Sequence, residues 1–302
     1  MGEERRAILR KMIFEDKKIV KAVGAHNGLS AKLVEKNGFD AIWASGFEIS
    51  TSHAKPDANI LTMSHFLEAT RQIIESTSIP VIADCDSGFG DHNNVANLVR
   101  EYEKIGVSAI CIEDKTFPKI NSFINKKQHL ISIKEFCAKI VAAKKARKDN
   151  NLLIIARVES LIIGETVESA LERARAYCAA GADLILIHSK SEDCEEIMEF
   201  SSKWISSVPL VIVPTTYKNI TLDQIKGASN IRVVIYANQA LRAGIKAIDS
   251  FLQILNQTES LESIDEYLSP MSHLFEIQGV NEMLMKEKKI LAEVEGIYNV
   301  RV

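Results

Sequence analysis

The 302-residue chain has no apolar run of 18 residues, so it offers no candidate membrane-spanning helix. It has no basic excess: 37 Lys and Arg stand against 40 Asp and Glu, a formal net charge of −3, which argues against a nucleic-acid partner. Its charged start, Met1-Gly2-Glu3-Glu4-Arg5-Arg6, is not followed by the apolar stretch of a secretory signal. Arg6 stands where a myristoylation motif wants Ser or Thr. The five cysteines, at 85, 111, 137, 178 and 194, have no paired spacing, and several lie in apolar runs. They read as buried thiols of a reducing cytoplasm. No low-complexity linker or internal repeat interrupts the chain.

What is present is ordinary for a globular protein: 46% hydrophobic and 25% charged residues. A chain this long buries roughly 75% of its unfolded surface and needs no disulfide or metal to fold. Short apolar runs alternate with helical patterns. Strands are expected at 19–25, 41–44, 80–83, 109–112, 152–156, 183–187, 210–213 and 231–236. Helices are expected at 29–37, 64–76, 95–105, 133–147, 167–180, 195–204 and 239–255. The strands are apolar throughout rather than alternating, as in parallel sheets covered by helices on both faces. Eight strand–helix units fit an α/β fold of the (β/α)8 TIM-like barrel type. An open doubly wound sheet fits less well, since no G-x-G-x-x-G follows the first strand. The barrel is expected to fill residues 1–257. Residues 258–302, with helical patterns at 260–268 and 273–293, form a C-terminal extension that packs on the barrel or on a neighbouring subunit.

In such a barrel the active site lies at the C-terminal ends of the strands. There this chain places Ser45-Gly46, Asp84-Cys85-Asp86, Glu113-Asp114-Lys115, Arg157 with Glu159, His188-Ser189 and Ala237-Asn238. Asp84 and Asp86 are two apart and point the same way in extended chain. With Glu113 from the next strand end they form a trio that would repel unless a cation sat among them. Oxygen-only ligands suit Mg²⁺ or Mn²⁺. Arg157 has the fork to grip a carboxylate or phosphate, or else pairs with Glu159. His188 serves equally as a site residue or a hydrogen-bonded core residue. Ser45-Gly46 is enough to hold a carboxylate, but is also common turn chemistry. Asp57, after a proline, reads locally as a turn residue. Trp43 and Trp204 read as packing residues, with Trp43 also a candidate for the substrate-binding group. The basic run 139–148 reads as the solvated face of an amphipathic helix.

Taken together, residues from about Val20 to Ala247 resemble the phosphoenolpyruvate mutase/isocitrate lyase superfamily. Glu113-Asp114-Lys115-x-Phe117-Pro118-Lys119-x-Asn121-Ser122 is similar to the gating loop of its mutase members. Asp84-x-Asp86-x-Gly88, Ala156-Arg157-Val158-Glu159 and Ile187-His188-Ser189 match in order and spacing. The resemblance implies Mg²⁺ near Asp84, Asp86 and Glu113, and a small anionic substrate. Ser45, the Gly46-Phe47 backbone and Arg157 would hold the substrate carboxylate. His188 and Asn121 would contact the phosphoryl group, Asp57 would stand beside it as it migrates, and Lys119 and Ser122 would act from the closing loop. It also implies a homodimer or homotetramer with the eighth barrel helix swapped between subunits. The expected reaction interconverts phosphoenolpyruvate and 3-phosphonopyruvate, with hydrolysis of phosphonopyruvate as the alternative. Relatives that cleave carbon–carbon bonds carry a cysteine in this loop, and none lies here between Cys111 and Cys137. The hydrolase carries Thr where Asn121 stands. Cys85 departs from the usual Thr between the two aspartates.

Overall fold

All eight apolar runs are strands. The computed structural model, which describes residues 2–299, places them at β1 (Val20–Ala25), β2 (Ala41–Ala44), β3 (Val81–Asp84), β4 (Ala109–Glu113), β5 (Leu153–Val158), β6 (Leu184–Ile187), β7 (Leu210–Ile212) and β8 (Ile231–Tyr236). Every neighbouring pair is parallel, and β8 pairs with β1, so the sheet closes into a barrel in sequence order. The helices between them are α2 (Gly28–Lys36), α3 (Gly46–Ser52), α4 (Met63–Ser76), α5 (His92–Ile105), α6 (Ile133–Ala146), α7 (Val167–Ala179), α8 (Glu195–Lys203) and α9 (Leu222–Gly227). Helix α1 (Gly2–Phe14) precedes β1, and α10 (Gln239–Gln257) follows β8.

Strand alternation splits the interior into two cores. One set of side chains, including Ala22, Trp43, Ile82, Cys111, Ile155, Leu186 and Val233, fills the barrel lumen. The other, including Ile42, Ile110, Ile154 and Ile185, packs outward against helix residues such as Val99, Phe136 and Tyr177. Both sets are apolar because the helices leave no strand face in water. Local signals set the helix limits. Asp91, Ser132 and Thr221 cap α5, α6 and α9 in capping boxes, and Gly106 ends α5 in the left-handed conformation at φ 94°.

Helix α1 was not expected from its charged start. It contributes Leu9 and Ile13 to the lumen core, and it is held by Arg5 and Arg6. Their guanidinium groups donate to the carbonyls of Ile74 and Val107, at 3.0 and 2.9 Å. The expected solvated face at 139–148 also needs correction. Lys139 is buried and donates to the Ser87 carbonyl at 2.7 Å, while Lys144 and Arg147 pair with Asp183. A long stem can cross an apolar helix interface if its ammonium meets a carbonyl at the far end.

The chain divides into two compact units, Met1–Arg242 and Ala243–Val302, a division that falls inside α10. The second unit continues with a 3-10 helix (Leu261–Tyr267), α11 (Met271–Gln278) and α12 (Val280–Asn299). Gly279, left-handed at φ 72°, breaks the single helix expected at 273–293 into two. Residues 300–302 of the expected extension lie outside the described residues.

Candidate active site

Polarity changes abruptly where the strands end. Ser45 follows β2 and caps α3, its Oγ accepting the Glu48 N–H at 3.3 Å. The N-terminus of α3 therefore faces the barrel mouth with its first N–H groups unspent by the helix. The Gly46 N–H donates to Asp84 Oδ2 at 3.3 Å. A side chain at Gly46 would come within 3.2–3.3 Å of Asp86 Oδ1 and Asp84 Oδ2, so glycine is what lets the helix end approach the carboxylates. Asp86 takes a left-handed φ of 49°, which turns the chain out of β3.

Residues 115–131 form a lid. Its two limbs pair at the root: Lys115 bridges Leu130, Thr116 N–H donates to the His129 carbonyl, and Ile131 N–H donates to that of Asp114. The lid is closed. On one side it binds the loop after α3: Lys119 Nζ meets Asp57 Oδ1 at 2.6 Å, and Asn121 Nδ2 donates to Asp57 Oδ2 at 2.8 Å. The Lys119 N–H donates to Asn59 Oδ1 at 2.6 Å, and Asn59 Nδ2 donates to Asp86 Oδ2 at 2.7 Å. On the other side Ser122 Oγ donates to Glu159 Oε2 at 2.9 Å.

Beneath the lid lies a cavity of about 70 Å³. Its lining includes Trp43, Ser45, Phe47, Asp57, Asp84, Lys119, Asn121, Ser122, Arg157 and His188. Gly46, Asp86 and Glu113 stand just behind that wall, each in contact with a lining residue. A far larger groove of about 680 Å³ runs along the outer side of the lid, between its tip and residues 162–190. The small cavity is the better site, because the buried charges converge there. Trp43 serves twice: it packs in the lumen core and it lines the cavity. Trp204 only packs, stacked on Phe200.

Two charge clusters line the site. In the first, Lys119 sits between Asp57 and Asp86, 2.9 Å from the latter. Burial lowers its affinity for the proton, but Asp86 and Asp57 outweigh burial and hold the ammonium above its ordinary range. Burial likewise opposes ionisation of Asp57, and Lys119 overrides it, so Asp57 stays an anion. Asp86 is pushed up to about 7, chiefly by burial, and burial also raises Asp84. In the second cluster, Arg157 pairs with Glu159 and lies 3.4 Å from Glu113. Burial disfavours a charged Glu159, yet Arg157 and Lys115 hold it well below the usual carboxylate range. Burial and then Arg157 lower His188, so its ring is neutral. His188 Nδ1 lies 2.8 Å from both Arg157 Nη2 and Glu159 Oε1. One nitrogen cannot accept and donate at once, so the tautomer decides which neighbour it serves.

Asp84, Asp86 and Glu113 share the barrel mouth, and after burial the charge of Glu113 adds to the tendency of Asp84 and Asp86 to hold a proton. Among the described residues no three Asp, Glu, His or Cys side chains converge closely enough to hold an ion. Two of these carboxylates pair with cations: Lys119 lies on Asp86 and Arg157 on Glu113. The donor set still fits a hard cation that keeps much of its water. All donors are oxygens, Glu113 Oε1 is buried without a hydrogen-bond partner, and burial leaves Asp84 short of compensating charge. Asp86 Oδ1 also lacks a well-directed hydrogen bond, although Lys119 Nζ is near.

Several contributors were not legible in the sequence. Asn59 bridges the lid and Asp86 with a left-handed φ of 53°, and its place in a Pro-Asp-Ala-Asn turn is the local hint the sequence offers. Glu48, wholly buried, bonds His26 Nδ1 at 3.0 Å behind the α3 cap. Lys115 looked like a lid residue but is buried at the root. No cysteine lines the cavity. Cys111 is the lumen thiol nearest the carboxylates, and burial pushes it well above its ordinary value.

Similarity to known proteins matches this arrangement. Residues 9–255 match the family described as phosphoenolpyruvate phosphomutase. A phosphonopyruvate hydrolase from Variovorax sp. (strain Pal2) is 45% identical over 271 residues, covering 89% of this chain and 93% of the relative. The solved structure of phosphoenolpyruvate phosphomutase from Streptomyces platensis subsp. rosaceus superposes with a TM-score of 0.92 at 43% identity, covering 95% of this chain and 99% of that one. A phosphonopyruvate hydrolase complex with oxalate and Mg²⁺ gives 0.90 at 43% identity, with the same coverage. A match over most of the barrel, at this identity and with a lidded, charge-lined pocket at the strand ends, has one consequence: the chain is an enzyme of the phosphoenolpyruvate phosphomutase family, within the phosphoenolpyruvate mutase/isocitrate lyase superfamily.

Proposed function

We propose that this enzyme interconverts phosphoenolpyruvate and 3-phosphonopyruvate, an isomerisation that makes the carbon–phosphorus bond of phosphonates. The observation that carries this reading is Asn121 on the inner face of the lid, donating to Asp57 at 2.8 Å above a closed cavity. Its position is where the hydrolase has Thr. In the proposed reaction the bond between phosphorus and the enol oxygen breaks. The electron pair remains on the pyruvyl enolate, and C3 of that enolate then bonds phosphorus. No proton moves and water must stay out.

The residues present supply what these steps need. Ser45, the α3 N-terminus at Gly46 and Phe47, and Arg157 face the position of the pyruvyl carboxylate. His188 and Asn121 flank the phosphoryl position. Asp57, kept ionised by Lys119, stands beside the transferring group, and Lys119 offsets its charge. Asp84, with Asp86 and Glu113 behind it, would hold Mg²⁺, with Mn²⁺ as a substitute. The ion would supply a Lewis acid for the pyruvyl oxygens. The lid holds the substrate while it exists as two fragments.

The second reading, hydrolysis of phosphonopyruvate to pyruvate and phosphate, is favoured by the 45% identity to the hydrolase. Phosphorus NMR with phosphonopyruvate and Mg²⁺ separates the two. The phosphoenolpyruvate signal is expected to grow; inorganic phosphate as main product would move the assignment to the hydrolase. A carbon–carbon lyase is disfavoured by the absence of cysteine from the lid. We further propose a homodimer or homotetramer in which α10 is exchanged. In support, α10 exposes Ile245, Ile248, Leu252 and Leu255 at helical spacing. A cytoplasmic location accords with the five free thiols.

A further inference from the structure

Asp57 and Asn59 hold one side of the lid. The other side ends on a lysine that the proposed chemistry does not use. Lys115 is 2% exposed, and its stem lies under the lid it begins. An ammonium has three protons to place. This one has three acceptors in reach: Ser122 Oγ at 2.6 Å, Glu159 Oε2 at 2.9 Å and the Ile120 carbonyl at 3.3 Å. Ser122 Oγ in turn donates its own hydrogen bond to Glu159. Two of the three acceptors belong to the moving limb of the lid, and the third is fixed just beyond β5. The two lid acceptors flank Asn121.

We propose that Lys115 is the latch of the lid, a positioning residue that ties Ile120 and Ser122 to Glu159 and so holds the Asn121 amide over Asp57. The geometry favours this over plain neutralisation of Glu113 and Glu159. A lysine serving only those carboxylates would sit between them, yet Lys115 lies 3.9 Å from Glu113 Oε1 and spends its remaining donors on the lid. The root bridge to Leu130 keeps Lys115 at the hinge, so opening the lid removes two acceptors and leaves the lysine on Glu159. Charge-assisted bonds broken on opening bias the lid toward closure.

The test compares Lys115→Met and Lys115→Arg with the parent chain by hydrogen–deuterium exchange, on the full-length protein without ligand. In Lys115→Met, exchange within residues 119–125 should rise at least about tenfold, while β1–β8 keep their protection. Lys115→Arg should recover part of that protection. No change in 119–125, or an equal rise across the strands, would overturn the latch. Should Lys115→Met fail to fold, Ser122→Ala removes one acceptor and should loosen the same segment; unchanged exchange there would also overturn it. Exchange reads the lid, whereas product analysis reads the chemistry. The latch thus survives or falls separately from the mutase assignment.

Discussion

The two mouths of the barrel are closed in opposite ways. At the N-terminal mouth, α1 lays Leu9 and Ile13 on the lumen core, and its arginines bind backbone carbonyls. At the C-terminal mouth, the lid meets the rim through Lys119, Asn121, Ser122 and Lys115, almost all by charge and hydrogen bond. Apolar closure is stable because water offers the exposed faces nothing in return. Polar closure is reversible because the opened groups find water, and the net gain per bond is only about 1 kcal/mol. A mouth that must admit substrate and then exclude solvent needs the second kind.

Substitutions at each mouth should therefore fail differently. The largest effect is expected from Asp57→Asn, which removes the anion that the proposed reaction sets beside the transferring group. Turnover should fall about a thousandfold or more while the urea midpoint barely moves. A loss under about tenfold would remove Asp57 from the chemistry. Leu9→Ala works at the other end: it should cost about 3 kcal/mol of stability, read as a lower urea midpoint, with turnover per folded molecule preserved. If activity fell as far as stability, the separation of the two mouths would be lost.

Asn121→Thr is expected to leave stability alone and to divert phosphonopyruvate toward pyruvate and phosphate, by about tenfold in product ratio. An unchanged ratio would strip the asparagine of its part in excluding water. The smallest effect is at Glu48. Burial raises its carboxyl and His26 only partly opposes this, so the folded state prefers it protonated. Its contribution is thus fully present below the ordinary carboxyl range and is lost as pH rises through the raised value. Glu48→Gln should flatten stability against pH above about 4.5, measured by urea midpoints, with the rim otherwise intact. An unaltered slope would show that His26 cancels the burial.

Much of this was legible in advance. Eight strands were found because a strand buried on both faces must be apolar along its whole length, and the polar residue that ends it stands out. For the same reason Asp84, Glu113, Arg157 and His188 could be located without coordinates. Asp57 was legible only through family resemblance, since an aspartate after proline is ordinary turn chemistry. Helix α1 was missed because its two lumen residues are diluted among charges, and its arginines spend theirs on distant carbonyls. The burial of Lys139 is not legible in the sequence, because a lysine stem lies buried only when its tip finds a partner such as the distant Ser87 carbonyl.

Apart from the lid at Glu113, which the family resemblance implied, the residue order by itself determined a parallel barrel and the ring of polar groups at one end. Those follow from local pattern, because burial of a strand or helix face constrains composition at fixed spacing. Only the tertiary structure decided the partners. Lys119 lies between two carboxylates and Arg157 beside a third, while Glu113 Oε1 and Asp86 Oδ1 keep no well-directed hydrogen bond. Lys115 turned inward to Ser122 and Glu159. Most of these pairings join residues tens of positions apart, and their strength depends on distance and burial, which no local pattern encodes.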